Sequence, residues 1–131
     1  MVDSQSSAPR LILVVDDAED CLATLDLALG SLPSVAVRPA RSAEDAILVL
    51  ESSARVSAVV TDIHLPRMSG LDLIVRIRSQ PHWQSLPVVA VSADTDPATP
   101  QRALRLGADA YFAKPFSPGA VRKKVEELMH G

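Results

Sequence analysis

The sequence predicts an α/β fold in which a parallel sheet of five strands carries helices on both faces. Short apolar runs alternate with amphipathic stretches along the whole chain. The runs are continuous and β-branched, as strands buried on both faces of a parallel sheet are, and do not alternate with polar residues. The length of 131 residues suits one domain with a single sizeable core, and no repeat or linker divides it.

The strand runs are Leu11–Val15, Val35–Val37, Ala58–Val60, Val88–Val91 and Ala110–Phe112. A helix from about Glu19 to Ser31 places Leu22, Leu25, Leu29 and Leu32 on one stripe and leaves Leu27 opposite it. The second helix opens on Ser42-Ala43-Glu44-Asp45, a capping-box pattern, and buries Ala43, Ala46, Ile47 and Leu50. The third runs from about Ser69 to Arg78, with Gly70, Leu73, Ile74 and Ile77 inward. The fourth is short, capped by Thr99, with Pro100 in its first position and Gly107 at its end. The last follows Ser117-Pro118 and buries Val121, Val125 and Leu128.

Composition narrows the function classes. Apolar residues make up 47% and charged ones 22%, with a net charge of −3, so the chain carries no electrostatic footprint for nucleic acid or an anionic membrane. No apolar run approaches the ~20 residues of a membrane span. Met1–Pro9 is polar and serine-rich, reads as a disordered tail ahead of a domain over 10–131, and is no signal peptide. Cys21 is the only cysteine, so no intrachain disulfide can form, and a reducing, cytoplasmic location is expected.

Ligands of open parallel sheets bind beyond the carboxyl ends of the strands. Asp16 and Asp17 follow the first run, Asp62 the third, Ser92 the fourth and Lys114 the fifth. Two carboxylates ~4 Å apart repel by roughly 4 kcal/mol at an effective dielectric of 20, so three together call for a cation. Oxygen ligands with room for water suit Mg²⁺. A carboxylate is also a nucleophile able to form an aspartyl phosphate, whose oxygens Lys114 and Ser92 can hold. Taken singly, each residue has an ordinary reading: a helix cap for Asp16-Asp17, a loop residue for Asp62, a turn for Ser92, a solvated charge for Lys114. Their convergence on one sheet edge is what the ordinary readings fail to explain.

Val14-Val15-Asp16-Asp17, Thr61 to Pro66, Met68-Ser69-Gly70, Val91-Ser92-Ala93 and Gly107 to Phe116 resemble, in order, the motifs of response-regulator receiver domains. The resemblance covers about Arg10 to His130. It implies the doubly wound, flavodoxin-like strand order 2-1-3-4-5 and Asp62 as phosphoacceptor. It implies Mg²⁺ on Asp17, Asp62 and the main-chain carbonyl of His64, with Asp16 acting through a water. Lys114 is then the phosphoryl-bridging lysine, with a cis bond to Pro115. Ser92 and Tyr111 are the switch pair, the tyrosine ring turning inward when Ser92 moves toward phosphate. The implied partners are a histidine kinase or a histidine phosphotransfer protein. The fourth helix is short and starts late because Pro97 and Pro100 restrict it, so it, the fifth strand and the last helix are expected to form the output surface; from the composition, no direct nucleic-acid contact and no membrane insertion are expected. The chain departs from the common pattern at His64 and Ser69 and in the proline-rich Thr95–Pro100 segment. His64 and Asp94 are expected to border the path of water to Asp62.

The alternative from another class is a Mg²⁺-dependent phosphohydrolase with an aspartyl-phosphate intermediate. Such enzymes of the dehalogenase type carry Asp-x-Asp-x-Thr after the first strand, where this chain reads Asp16-Asp17-Ala18-Glu19-Asp20. A flavodoxin-like carrier needs a phosphate-cradling loop at the same place, and none is present. Whether the receiver stands alone or belongs to a larger regulator or hybrid kinase stays open at this level.

Overall fold

The computed structural model describes residues 9–52 and 54–130. The expected N-terminal tail, apart from Pro9, lies outside them. Strands β1 (Arg10–Val15), β2 (Val35–Ala40), β3 (Val56–Asp62), β4 (Val88–Ser92) and β5 (Ala110–Ala113) alternate with helices α1 (Glu19–Gly30), α2 (Ala43–Glu51), α3 (Gly70–Arg78), α4 (Thr99–Leu106) and α5 (Pro118–His130). A 3₁₀ turn, Pro81–Trp83, interrupts the connection between α3 and β4. All strand pairs are parallel and the order is β2-β1-β3-β4-β5, as the resemblance implies.

Two apolar layers hold the sheet. On one face Leu22, Leu25 and Leu29 of α1 and Val121 and Val125 of α5 cover Ile12, Val14, Val60 and Val91. On the other, α2, α3 and α4 cover Leu13, Val15, Val59 and Ala90, with Leu73, Ile74 and Ile77 fully buried. Alternate residues of each strand face opposite layers, which is why the runs had to be apolar throughout. Leu128 is only partly buried near the end of α5, and Leu27 of α1 is 81% exposed.

The strands outrun their apolar runs. Asp62 pairs with Val91, and Ser92 with Ala113, so these polar residues terminate strands and do not merely follow them. Pro39 stands inside β2, tolerated because β2 is an edge strand with one side unpaired. The Ser42 hydroxyl accepts from Asp45 N at 3.0 Å, the forward half of the expected box. The complete box lies at α3, where Ser69 is the N-cap and pairs reciprocally with Asp72. Thr99 does not cap α4: Ala98 occupies the cap position and Thr99 is the first helical residue. Asp94 engages the Thr99 hydroxyl and so removes it from the backbone.

Candidate functional site

Each site residue is delivered by the end of a strand. The Asp16 N–H donates to Ala40 O at 3.0 Å, continuing the β1–β2 ladder, and the side chain is fully buried at the head of the turn into α1. There its Oδ1 accepts from Ala18 N at 2.9 Å. Asp17, the next residue, is exposed. Asp62, 6% exposed, closes β3, and its Oδ1 accepts from His64 N at 3.1 Å. Lys114 N donates to Ser92 O at 2.7 Å, which fixes the lysine where β5 ends, and the Lys114–Pro115 bond beyond it is cis. From there the ammonium reaches Asp16 Oδ2 at 2.9 Å and Asp62 Oδ2 at 3.1 Å.

Asp16, Asp17 and Asp62 each bring one carboxylate oxygen into a group whose members lie within 4.8 Å of one another. The electrostatics follow from the geometry. Burial pushes the Asp62 carboxyl above its usual range and the Asp16 charge adds to this, against the His64 N–H and Lys114. Burial works against the Lys114 ammonium, yet the hydrogen bonds and charges of Asp16 and Asp62 outweigh it and hold its pKa above the ordinary lysine value. Cys21 packs beside this cluster, where burial first and Asp16 second push its thiol up to about 12, which leaves it unreactive. Three clustered carboxylates facing one ammonium are a hard, oxygen-only donor set that fits Mg²⁺.

Gly70 positions the end of β3. Its N–H donates to Ile63 O at 2.8 Å, and a Cβ built on it would stand 1.9 Å from Asp62 O. The first turn of α3 thus rests directly on the Asp62 backbone. The sequence pattern marked Gly70 as inward-facing and as part of the Met68-Ser69-Gly70 motif, but not as a support of Asp62.

Around this centre lie the other expected residues. Ser92 is fully buried and its hydroxyl accepts from Asp94 N at 2.9 Å. The His64 ring is largely exposed and its Nε2 lies 3.1 Å from Asp94 Oδ2. Tyr111 packs against the layer that contains Ala90 and Ala103, and its buried hydroxyl has no hydrogen-bond partner among the described residues. The residue as a whole is half-buried. A cavity of about 630 Å³, lined by residues that include Arg55, His82 and Trp83, opens at the opposite edge of the sheet.

A parallel sheet in this order, with an acid cluster and a lysine at its carboxyl edge, defines a receiver-type signalling module. The sequence pattern of the response regulator receiver domain matches residues 12–126, and the chain belongs to that family. It is 29% identical to the chemotaxis protein CheY1 of Helicobacter pylori over 90% of this chain and 95% of that protein. A response regulator receiver protein from Pseudomonas putida superposes with a TM-score of 0.82 at 33% identity, over 92% of this chain and 98% of the other. A putative response regulator from Chloroflexus aurantiacus does so with 0.82 at 30% identity, over 94% and 99%. Receiver domains serve two-component signalling, bind Mg²⁺ at an acidic pocket and work with a kinase or phosphotransfer partner. No described helix is long and apolar enough to cross a membrane.

Proposed function

We propose that this chain accepts a phosphoryl group on Asp62 from a histidine kinase or a histidine phosphotransfer protein, in a Mg²⁺-dependent reaction. The observation that carries the reading is the shared ammonium: Lys114 touches the buried carboxylates of both Asp16 and Asp62. In the transfer, an Asp62 oxygen attacks the phosphorus of a phosphohistidine, the P–N bond breaks, and the imidazole leaves with the electron pair. Lys114 and the Ser92 hydroxyl then hold phosphoryl oxygens, a task of position and charge. Asp17, Asp62 and the His64 main-chain carbonyl hold Mg²⁺, which supplies charge neutralisation at the phosphoryl oxygens. Asp16 has both carboxylate oxygens engaged, by Ala18 N and Lys114, which supports its acting through a water. Asp17 is the exposed acid and so the one open to a direct bond.

The signal leaves by Ser92 and Tyr111 toward α4, β5 and α5. The Tyr111 hydroxyl supports this: it is buried with no hydrogen-bond partner among the described residues, so no such bond pins the ring in place. The chain works in the cytoplasm and catalyses only its own phosphorylation and dephosphorylation. Labelling with a small phosphodonor and Mg²⁺, followed by peptide mapping of the acyl phosphate, is expected to place it on Asp62. Its recovery on any other residue would rule out the assignment. Hydrogen exchange with and without beryllofluoride tests the output arm, through changed protection between Ser92 and Phe116 that Tyr111→Ala removes. Changes confined to the Asp62 loop would refute that arm.

Mg²⁺ is expected to stabilise the fold, because it binds the native cluster and relieves its repulsion. A ligand specific to the native state adds ~2.7 kcal/mol at a hundredfold excess over its Kd. The melting temperature should therefore rise with Mg²⁺, and Asp17→Asn should reduce the rise. An undiminished rise in that variant would exclude Asp17 as a ligand. Calorimetry suits this test better than fluorescence, since Trp83 lies at the opposite edge of the sheet.

A further inference from the structure

Thr99 opens α4, a helix start at which a threonine hydroxyl ordinarily turns to the backbone. Here it is 7% exposed and donates instead to Asp94 Oδ2 at 3.0 Å. The same carboxylate oxygen lies 3.1 Å from His64 Nε2. Asp94 Oδ1 accepts from Asp96 N at 2.9 Å, and Asp94 N donates to the Ser92 hydroxyl at 2.9 Å. On the other side, His64 N donates to Asp62 Oδ1. The Asp94–His64 pair therefore spans the loops after β3 and β4, the two segments that flank Asp62.

Such a pair does not hold itself in place. The His64 side chain is 62% exposed and that of Asp94 27%, and a solvent-screened contact of this kind is too weak to keep two side chains in one geometry. A hydrogen bond from a buried hydroxyl to a carboxylate is stronger, and Thr99 is anchored by its helix. It is the rigid member of the three. The Asp96 N–H first and the Thr99 hydroxyl second hold the Asp94 carboxyl below its usual range, so Asp94 is a full acceptor at neutral pH.

We propose that Thr99 is a positioning residue for the aspartyl-phosphate site: it fixes Asp94, and through Asp94 the His64 ring, where the pair narrows the approach of water to the phosphoryl group. This rests on the reading of Asp62 as phosphoacceptor. In the step concerned, a water oxygen attacks phosphorus and the P–O bond to Asp62 breaks. The carboxylate leaves with the electron pair, and the water gives up a proton to solvent as inorganic phosphate departs.

The test is the decay of the acyl phosphate after labelling of the full chain with a small phosphodonor and Mg²⁺. Thr99→Val, which removes the hydroxyl and keeps the shape, is expected to shorten the lifetime by roughly three- to tenfold, less than the full worth of the lost hydrogen bond because the Asp96 N–H still holds Asp94. Thr99→Ser is expected to restore it. In an Asp94→Ala background Thr99→Val should have no further effect, since the two act through one contact. An unchanged lifetime in Thr99→Val, decay in Thr99→Ser as fast as in Thr99→Val, or additive effects with Asp94→Ala would each overturn the proposal. Should Thr99→Val fail to fold, Thr99→Ala carries the same comparison against Thr99→Ser. Absence of label from wild-type Asp62 would overturn the phosphoacceptor reading and this one together; normal labelling with unchanged decay overturns this one alone.

Discussion

Asp62→Asn is expected to reduce stable phosphate incorporation to background while leaving a better-folded protein in the absence of metal. The loss follows because a neutral amide is not a competent phosphoryl nucleophile, and Lys114, 3.1 Å away, would keep only Asp16 as a charged partner. The gain follows from the sign of the Asp62 shift. Its carboxyl is raised in the folded chain, by burial first and by Asp16 as well. A raised folded value means that ionisation is disfavoured by folding: the stability is full below the ordinary carboxylate range and is lost as pH rises through the raised value. Asparagine carries no charge and escapes that loss. In EDTA, Asp62→Asn should melt above the wild type at neutral pH, and the two should converge as the pH falls below about 4. A difference in melting temperature that does not change with pH would show that charge is not its origin.

Gly70→Ala is the second large effect expected, and it is a backbone effect. The added methyl would meet Asp62 O at 1.9 Å, and Asp62 C and Ile63 Cα at 2.8 Å. None of these atoms belongs to a flexible side chain, so the first turn of α3 must move away and break the Gly70 N–H bond to Ile63 O. Overpacking of this kind costs about 3 kcal/mol, or ~10 °C in melting temperature for a domain of this size. The molecules that still fold should label slowly, because the displaced backbone is that of Asp62, the proposed phosphoacceptor. Gly30→Ala is the matched control: its methyl meets only Asp26 Oδ1, at 4.0 Å, and it should be neutral or slightly stabilising. Equal melting of the two variants would remove Gly70 from the support of Asp62.

The sequence by itself determined the alternation of strands and helices and the position of the acid cluster, while the strand order came from the family resemblance. The first two rest on local signals. Val59 and Val60, like Ala90 and Val91, are apolar on consecutive positions because both faces of a parallel sheet are covered. Asp16, Asp17 and Asp62 interrupt such runs, so the edge they share could be deduced once the strands were taken as parallel. The chemistry at that edge was legible because the residue types are themselves unusual company. Strand ends were less so: Asp62 and Ser92 belong to strands through their partners Val91 and Ala113, and pairing is not a property of either residue alone.

What only the tertiary structure decided are the contacts between segments brought together by packing. Thr99 has the sequence signature of a cap, and only the position of Asp94 turns its hydroxyl elsewhere. Arg78 reads as an ordinary basic residue at the end of α3. In the fold it donates to Trp83 O at 3.1 Å, Leu86 O at 2.8 Å, Gly107 O at 2.9 Å and Asp109 Oδ2 at 3.1 Å, tying the end of α3 to both the β4 and β5 approaches. Gly107, at φ 129°, leaves room for that side chain, since a Cβ there would meet Arg78 Cγ at 2.5 Å. Periodicity records which face of an element is buried and which backbone angles a residue prefers. A hydrogen bond between residues thirty positions apart depends on distances of a few tenths of an ångström, and those are set only when the layers close on the sheet.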